Sequence, residues 1–251
     1  MKRIHIMMLL CAAAAKGGVL APATVTGSVF FNLEPPPRID FSGFGTHRQT
    51  GPGGMVQFSS IGMPMPAVMA EVDVKTLNYG RSSGVLSYDM EILGPAGDVS
   101  VEAVVTGAIS ASTGVNEKGT GFAVTAALAM FDKSRGKTVI KGDGISMKKS
   151  EGSHRDSFAL TRQMMLSVGR VYRIDLRADA AVAAGTGAEG SGMAFLYPMF
   201  RFGSGAGSGY SFAFSSGIGN GDDVATPEPG AMGLMSLGVF AIWGWKRRRQ
   251  P

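Results

Sequence analysis

The sequence predicts an all-β protein, an antiparallel β-sandwich with a jelly-roll-like layout. Three observations predict it. Apolar and polar residues alternate one by one along many short runs, the period of strands with one buried face. Clusters of Gly, Pro, Asn and Asp separate the runs, as at Gly94-Pro95-Ala96-Gly97, Asn116-Glu117-Lys118-Gly119 and Gly142-Asp143-Gly144. No convincing amphipathic helix interrupts them, although residues 157–168 can be read either way with strand preferred, and no repeat of fixed length points to a propeller or solenoid.

Taken in order, residues 1–23 read as a secretory signal peptide. Lys2 and Arg3 make a charged start, residues 6–15 an apolar stretch, and Ala21-Pro22-Ala23 a small-x-small cleavage site before Thr24. Ala13-Ala14-Ala15 is a competing site. A cut after Ala21 is disfavoured because Pro22 would follow it. Cys11 is an apolar residue of the stretch, since Leu10 stands where lipid attachment needs a small residue. Without it the mature chain has no cysteine, so disulfide and thiolate chemistry are excluded.

Residues 24–215 form the body. Pro35-Pro36-Pro37 and Gly51-Pro52-Gly53-Gly54 confine residues 24–54 to short edge strands. Strands follow at 68–77, 84–93, 99–109, 122–131, 157–168, 170–178, 193–202 and 210–215. Leu86, Tyr88, Met90 and Ile92 share one face, opposite Ser87, Asp89 and Glu91. Tyr172, Ile174, Leu176 and Ala178 share another, opposite Arg173, Asp175, Arg177 and Asp179, whose alternating charges suit a solvated surface. Residues 216–226 read as a flexible linker.

The tail, residues 227–251, has three ordered parts. Pro227-Glu228-Pro229 holds an extended backbone, because proline fixes φ and disfavours helix at the residue before it. Residues 230–245 carry no charge and read as a single hydrophobic helix. At about 1.5 Å per residue it spans roughly 24 Å, against a hydrocarbon core of about 30 Å. Trp243 and Trp245 suit the interface, and Lys246, Arg247, Arg248 and Arg249 stop the segment with its end in the cytoplasm.

This order resembles the PEP-CTERM sorting tail of Gram-negative exosortase substrates. The resemblance implies that exosortase, a membrane-embedded cysteine transpeptidase, recognises Pro227-Glu228-Pro229 and cuts near it. The body would then be released to the cell surface or the exopolysaccharide matrix. A second resemblance lies in the body. Residues 169–176, beginning Gly169-Arg170-Val171-Tyr172, and residues 194–200, ending Tyr197-Pro198-Met199-Phe200, are similar to the last strands of many such bodies. Tyr197 stands where those relatives have an acid before the proline.

The two ends also account for the basic pI of 9.4. Of 24 basic residues, seven belong to the signal peptide and the tail, leaving 17 against 18 acidic side chains in residues 17–227. A nucleic-acid partner therefore has no support in the charge.

Residues with catalytic chemistry are few. His47 and His154 are the body's histidines. Gly152-Ser153-His154-Arg155-Asp156 holds a Ser/His/Asp set, but as neighbours on a polar loop rather than from separate elements. Gly185, Gly187 and Gly190 match a dinucleotide fingerprint, yet a strand follows where that motif needs a helix. No metal-spaced cluster or calcium loop is present. Catalytic residues, metal and cofactor are accordingly all expected to be none. Tyr210, Phe212 and Phe214 share a strand face and are the candidate glycan contacts, with a place in the core as the favoured alternative.

The expectation is a non-enzymatic exported protein of the cell envelope or exopolysaccharide matrix, with Sec, signal peptidase and exosortase as export partners. It would be anchored transiently in the inner membrane. A glycan-binding module is the second reading, and a secreted hydrolase the third.

Overall fold

The computed structural model describes residues 20–31, 38–75, 78–114, 120–149, 152–206 and 209–221. The expected signal peptide up to Val19 and the tail from Asp222 onward lie outside these residues. Every regular element described is a strand: β1 (Thr24–Phe31), β2 (Ile39–Ser42), β3 (Gly45–Gly51), β4 (Gly54–Ile61), β5 (Ala67–Val74), β6 (Tyr79–Leu93), β7 (Asp98–Thr113), β8 (Gly121–Asp132), β9 (Lys137–Lys149), β10 (Gly152–Ser167), β11 (Val171–Ala183), β12 (Gly190–Phe202) and β13 (Ser211–Phe214). They form two antiparallel sheets packed face to face. The first runs β2-β1-β6-β11-β8-β9, with β13 added beside β6 beyond the end of β1. The second runs β10-β7-β12-β5-β4-β3.

The core is what the alternation predicts. Leu86, Tyr88, Met90 and Ile92 of β6 and Tyr172, Ile174, Leu176 and Ala178 of β11 are all buried between the sheets, facing Val56, Phe58, Val72 and Leu196 from the other layer. Each large side chain removed from water contributes about 1.5–3 kcal/mol. At Gly84 a close approach matters more than conformational freedom: a Cβ there would lie 2.4 Å from the ring of Phe58. The second layer packs the buried ring of Phe58 into the space Gly84 leaves. On the outer face of β11, Arg173 bonds Asp175 at 2.8 Å and Arg177 bonds Asp179, giving the solvated charged ladder.

Three expectations change. Gly142-Asp143-Gly144 does not separate strands but lies inside β9, at the edge of the first sheet. The register against β8 shifts between Leu128 and Phe131, so β9 alternates from Asp143 to Lys148 but not across the shift. Gly144 is required there, since a Cβ would meet the Ala126 carbonyl. Gly152-Ser153-His154-Arg155-Asp156 is not a loop either. It opens β10, which pairs with β7 over the strand's whole length. Finally, residues 216–221, expected to begin a flexible linker, are docked on the body by the contacts described below.

Candidate functional site

The sorting residues Pro227, Glu228 and Pro229 and the basic stop Lys246, Arg247, Arg248 and Arg249 lie outside the described residues. What the structure shows is the ground from which the tail departs, and the place where the other end of the body arrives.

On the departing side, residues 216–221 act as a strap. Ile218 is buried in the core. Gly219 N–H donates to the Gly62 carbonyl at 2.8 Å, and Gly221 N–H to the Pro64 carbonyl at 3.1 Å. Asn220 completes the strap. Its Nδ2 donates to the Phe200 carbonyl at 2.8 Å, and its Oδ1 accepts from Phe200 N–H at 2.9 Å. β5 stops pairing with β12 at Leu196, so the amide of Asn220 stands in for the missing strand partner. Backbone groups left without partners inside a fold are costly, which explains why a side chain is recruited.

On the arriving side, Ala21 meets both β6 and the end of β13. Ala21 N–H donates to Asp89 Oδ2 at 3.3 Å, and its carbonyl accepts from Ser215 Oγ at 2.6 Å. Ser215 is 1% exposed. Its own N–H donates to the Asp89 carbonyl at 3.0 Å, and its Oγ accepts from Asp89 N–H at 2.8 Å. Lys133 Nζ neutralises Asp89 at 2.9 Å. Ala23, the other expected cleavage residue, packs against the core. The two ends of the body are thereby tied to one strand, β6. Ser215 and Asn220 were not singled out in the sequence, because each lies in a Gly/Ser-rich stretch that reads as connection.

Nearby, Asp132 closes the β8–β9 turn. Its Oδ1 accepts from Ser134 and Arg135 N–H, and Oδ2 accepts from Arg170 at 3.1 Å. Burial alone would raise its pKa. The Arg170 contact and the two backbone donors outweigh burial and hold it below the ordinary aspartate value.

Tyr210, Phe212 and Phe214 pack against the core. Phe212 stacks on Phe202 at 4.2 Å between centroids, and Phe214 lies 6.2 Å from Tyr88 and 6.4 Å from Phe200. A different set of rings faces outward. On β12, Met193, Phe195, Tyr197 and Met199 alternate with buried Ala194, Leu196, Pro198 and Phe200, and are half-buried on the outer face of the second sheet. Phe195 and Tyr197 lie 5.6 Å apart.

The histidines serve separate structural places. His47 of β3 stacks on Phe41 of β2 at 4.1 Å and 5° between planes. His154 lies on β10, with Ser153 and Arg155 on the opposite face of the strand. Ser153, His154 and Asp156 thus do not converge as a triad. Among the described residues no group of three or more His, Cys, Asp and Glu side chains is placed to hold a metal.

Compared with known families, residues 225–249 match the PEP-CTERM protein-sorting motif. No curated protein matches the chain. Among solved structures, the chain is similar at 13% identity to the enzymatically active domain of tailspike protein 4 of bacteriophage CBA120, over 74% of this chain and 20% of that one, with a TM-score of 0.21. It is similar at 12% identity to a structure of infectious bursal disease virus, Gx strain, over 79% of this chain and 57% of that one, with a TM-score of 0.23. The chain spans a fifth of the first and a little over half of the second. At these TM-scores neither similarity bears on fold or activity.

Proposed function

We propose, on the premise that residues 225–249 are a PEP-CTERM protein-sorting motif, that this chain is a non-enzymatic protein exported for the cell envelope or the exopolysaccharide matrix. Signal peptidase and exosortase process its two ends. The tail halts in the inner membrane with Lys246–Arg249 on the cytoplasmic side, and exosortase acts at Pro227-Glu228-Pro229. The observation that carries the reading is the sorting motif itself.

The strap supports it. Gly221 is the last docked residue among those described, and Pro227 lies six positions further on. At about 3.3–3.6 Å per residue, that reach is at most about 22 Å. A cut near the motif would therefore free the body without removing any strand or strap contact. The body fits a passive role in that its histidines are placed apart, one stacked on Phe41 and the other on an edge strand. Strands β5–β12 divide between the layers in the orders β5-β12-β7-β10 and β6-β11-β8-β9. We read this as a jelly roll to which β1–β4 are added.

The experiment is to express an internally tagged chain with and without exosortase. The expected result is a body lacking the tail outside the inner membrane only when exosortase is present. Full-length chain in the inner membrane of both strains would sink the reading.

A second reading, a glycan-binding module of the same matrix, is favoured by the outward pair Phe195 and Tyr197 rather than by Tyr210, Phe212 and Phe214. Retention of the body on native exopolysaccharide, lost in Tyr197→Ala, supports it. No retention of the unaltered body counts against it.

A further inference from the structure

We propose that signal peptidase cuts this chain after Ala15 rather than after Ala23, so that the mature protein begins at Lys16 and keeps Ala21–Ala23 as its first anchored segment. The inference rests on the export reading above and deepens it.

The structural ground is that Ala21 and Ala23 belong to the fold. Ala21 donates to Asp89 and accepts from Ser215, and both partners are almost fully buried. Ala23 packs on the core just before Thr24, which opens β1 opposite Ser87. A cut after Ala23 would strip the Ser215 hydroxyl of the shorter of its two acceptor contacts, leaving the Asp89 carbonyl at 3.5 Å. It would also take the Ala21 N–H from the Asp89 carboxylate, which would keep Lys133. Losing partners for buried polar groups is the costly side of hydrogen-bond energetics. The same cut would place a new ammonium at Thr24, in the first rung of β1.

The sequence independently accommodates the earlier cut. Ala13-Ala14-Ala15 supplies small residues at both required positions, and the residue after the cut is Lys16, not proline. The apolar stretch then runs directly into the small-residue site. With the later cut, Lys16 interrupts the approach between the apolar stretch and the scissile bond. A cut after Ala21 is blocked by Pro22. Ala15 therefore satisfies both the peptidase and the fold, while Ala23 satisfies the peptidase at the fold's expense.

The test is N-terminal sequencing, with intact mass, of the body recovered after export of the full chain from a Gram-negative host. A chain beginning at Lys16 is the expected result. A chain beginning at Thr24, or at any other residue, overturns the assignment while leaving export intact. Recovery only of membrane-held chain with Met1 still attached would instead overturn the export reading on which the assignment depends. Two variants check the site without relying on the recovered mass. Ala15→Glu should accumulate uncleaved precursor, and Ala23→Glu should leave the mature N-terminus unchanged. The reverse pattern overturns the proposal.

Discussion

The two flanks of the sandwich face one problem and solve it with different chemistry. On one flank the edge strands are β2 and β3; on the other they are β9 and β10. Each pair brings together the edge of one sheet and the edge of the other, where unpaired backbone invites association with a second chain. The β2/β3 flank is closed by rings. His47 stacks on Phe41 at 4.1 Å, and Phe41 on the buried Phe58 at 5.0 Å. The β9/β10 flank adds charge, with Arg162 of β10 reaching Asp143 of β9 beside Ile145, Met147, Leu160 and Met164, which pack on the core. Lysines and arginines line this flank, and Met165 on it is 64% exposed. An apolar closure is part of the core and shares its cooperativity. An ionic closure is superficial, screened by salt, and removable without disturbing the layers beneath.

The largest expected effect lies at the root of the aromatic flank. Phe58→Ala removes a fully buried ring that fills the space over Gly84 and supports Phe41. A loss of about 3–5 kcal/mol in unfolding free energy is expected, read by denaturant titration of the body. A loss under ~1 kcal/mol would mean the flank is not continuous with the core.

A smaller effect is expected at the tie between the chain ends. Ser215→Ala takes away the acceptor for Asp89 N–H and the donor to the Ala21 carbonyl. Leaving those buried groups unmatched costs about 1–3 kcal/mol. The check is the same titration, alongside Ser216→Ala as a nearby control. Equal stability of the two variants would show that the arriving segment does not bear on the body's stability.

The ionic flank should also respond to acid. Asp132 sits in the turn that leads into β9, and its folded pKa lies below the usual aspartate value. A carboxylate of this kind stabilises the fold while it is ionised, so its contribution is fully present above about pH 4. It is lost as pH falls through the lower folded value. The difference in melting temperature between the wild-type protein and Asp132→Asn should therefore be constant near neutrality and shrink below pH ~4. A difference that grows on acidification would refute the sign. Phe58→Ala should show no comparable narrowing in that window.

These contrasts also mark how much was legible beforehand. β6, β7, β8, β11 and β12 have long regular alternation because one face of each packs on the opposite layer, so their buried residues could be read from period alone. β9 could not. A bulge breaks its register, so its alternation resumes only at Asp143, leaving Gly142-Asp143-Gly144 indistinguishable from a turn. The start of β10 misled too, since an edge strand needs no apolar stripe at its polar end. At the chain ends, the sorting tail was legible because its three parts follow from lipid and charge. Asn220 and Ser215 were not, because their partners are backbone groups of Phe200 and Asp89, far away along the chain. No local pattern encodes a hydrogen bond to a distant backbone.

The smallest effect decides whether the ionic closure matters to the folded body at all. Asp143 and Arg162 meet at 2.5 Å between Oδ2 and Nε, with the guanidinium half exposed. Exposure of the arginine keeps the pair in a high-dielectric setting, so the coupling energy from Asp143→Asn, Arg162→Gln and the double variant should be about 0.2–1 kcal/mol. It should fall further at high salt, where charges beyond roughly one Debye length cease to interact and close ones weaken. The contrast with the ring closure then becomes testable in one comparison. His47→Ala should lose about 0.5–1.5 kcal/mol of ring packing whatever the salt, whereas the Asp143–Arg162 coupling should be salt-dependent. A salt-independent coupling at the β9/β10 flank would mean that the ion pair is held as part of the packed interior, and that the two flanks are closed in the same way after all.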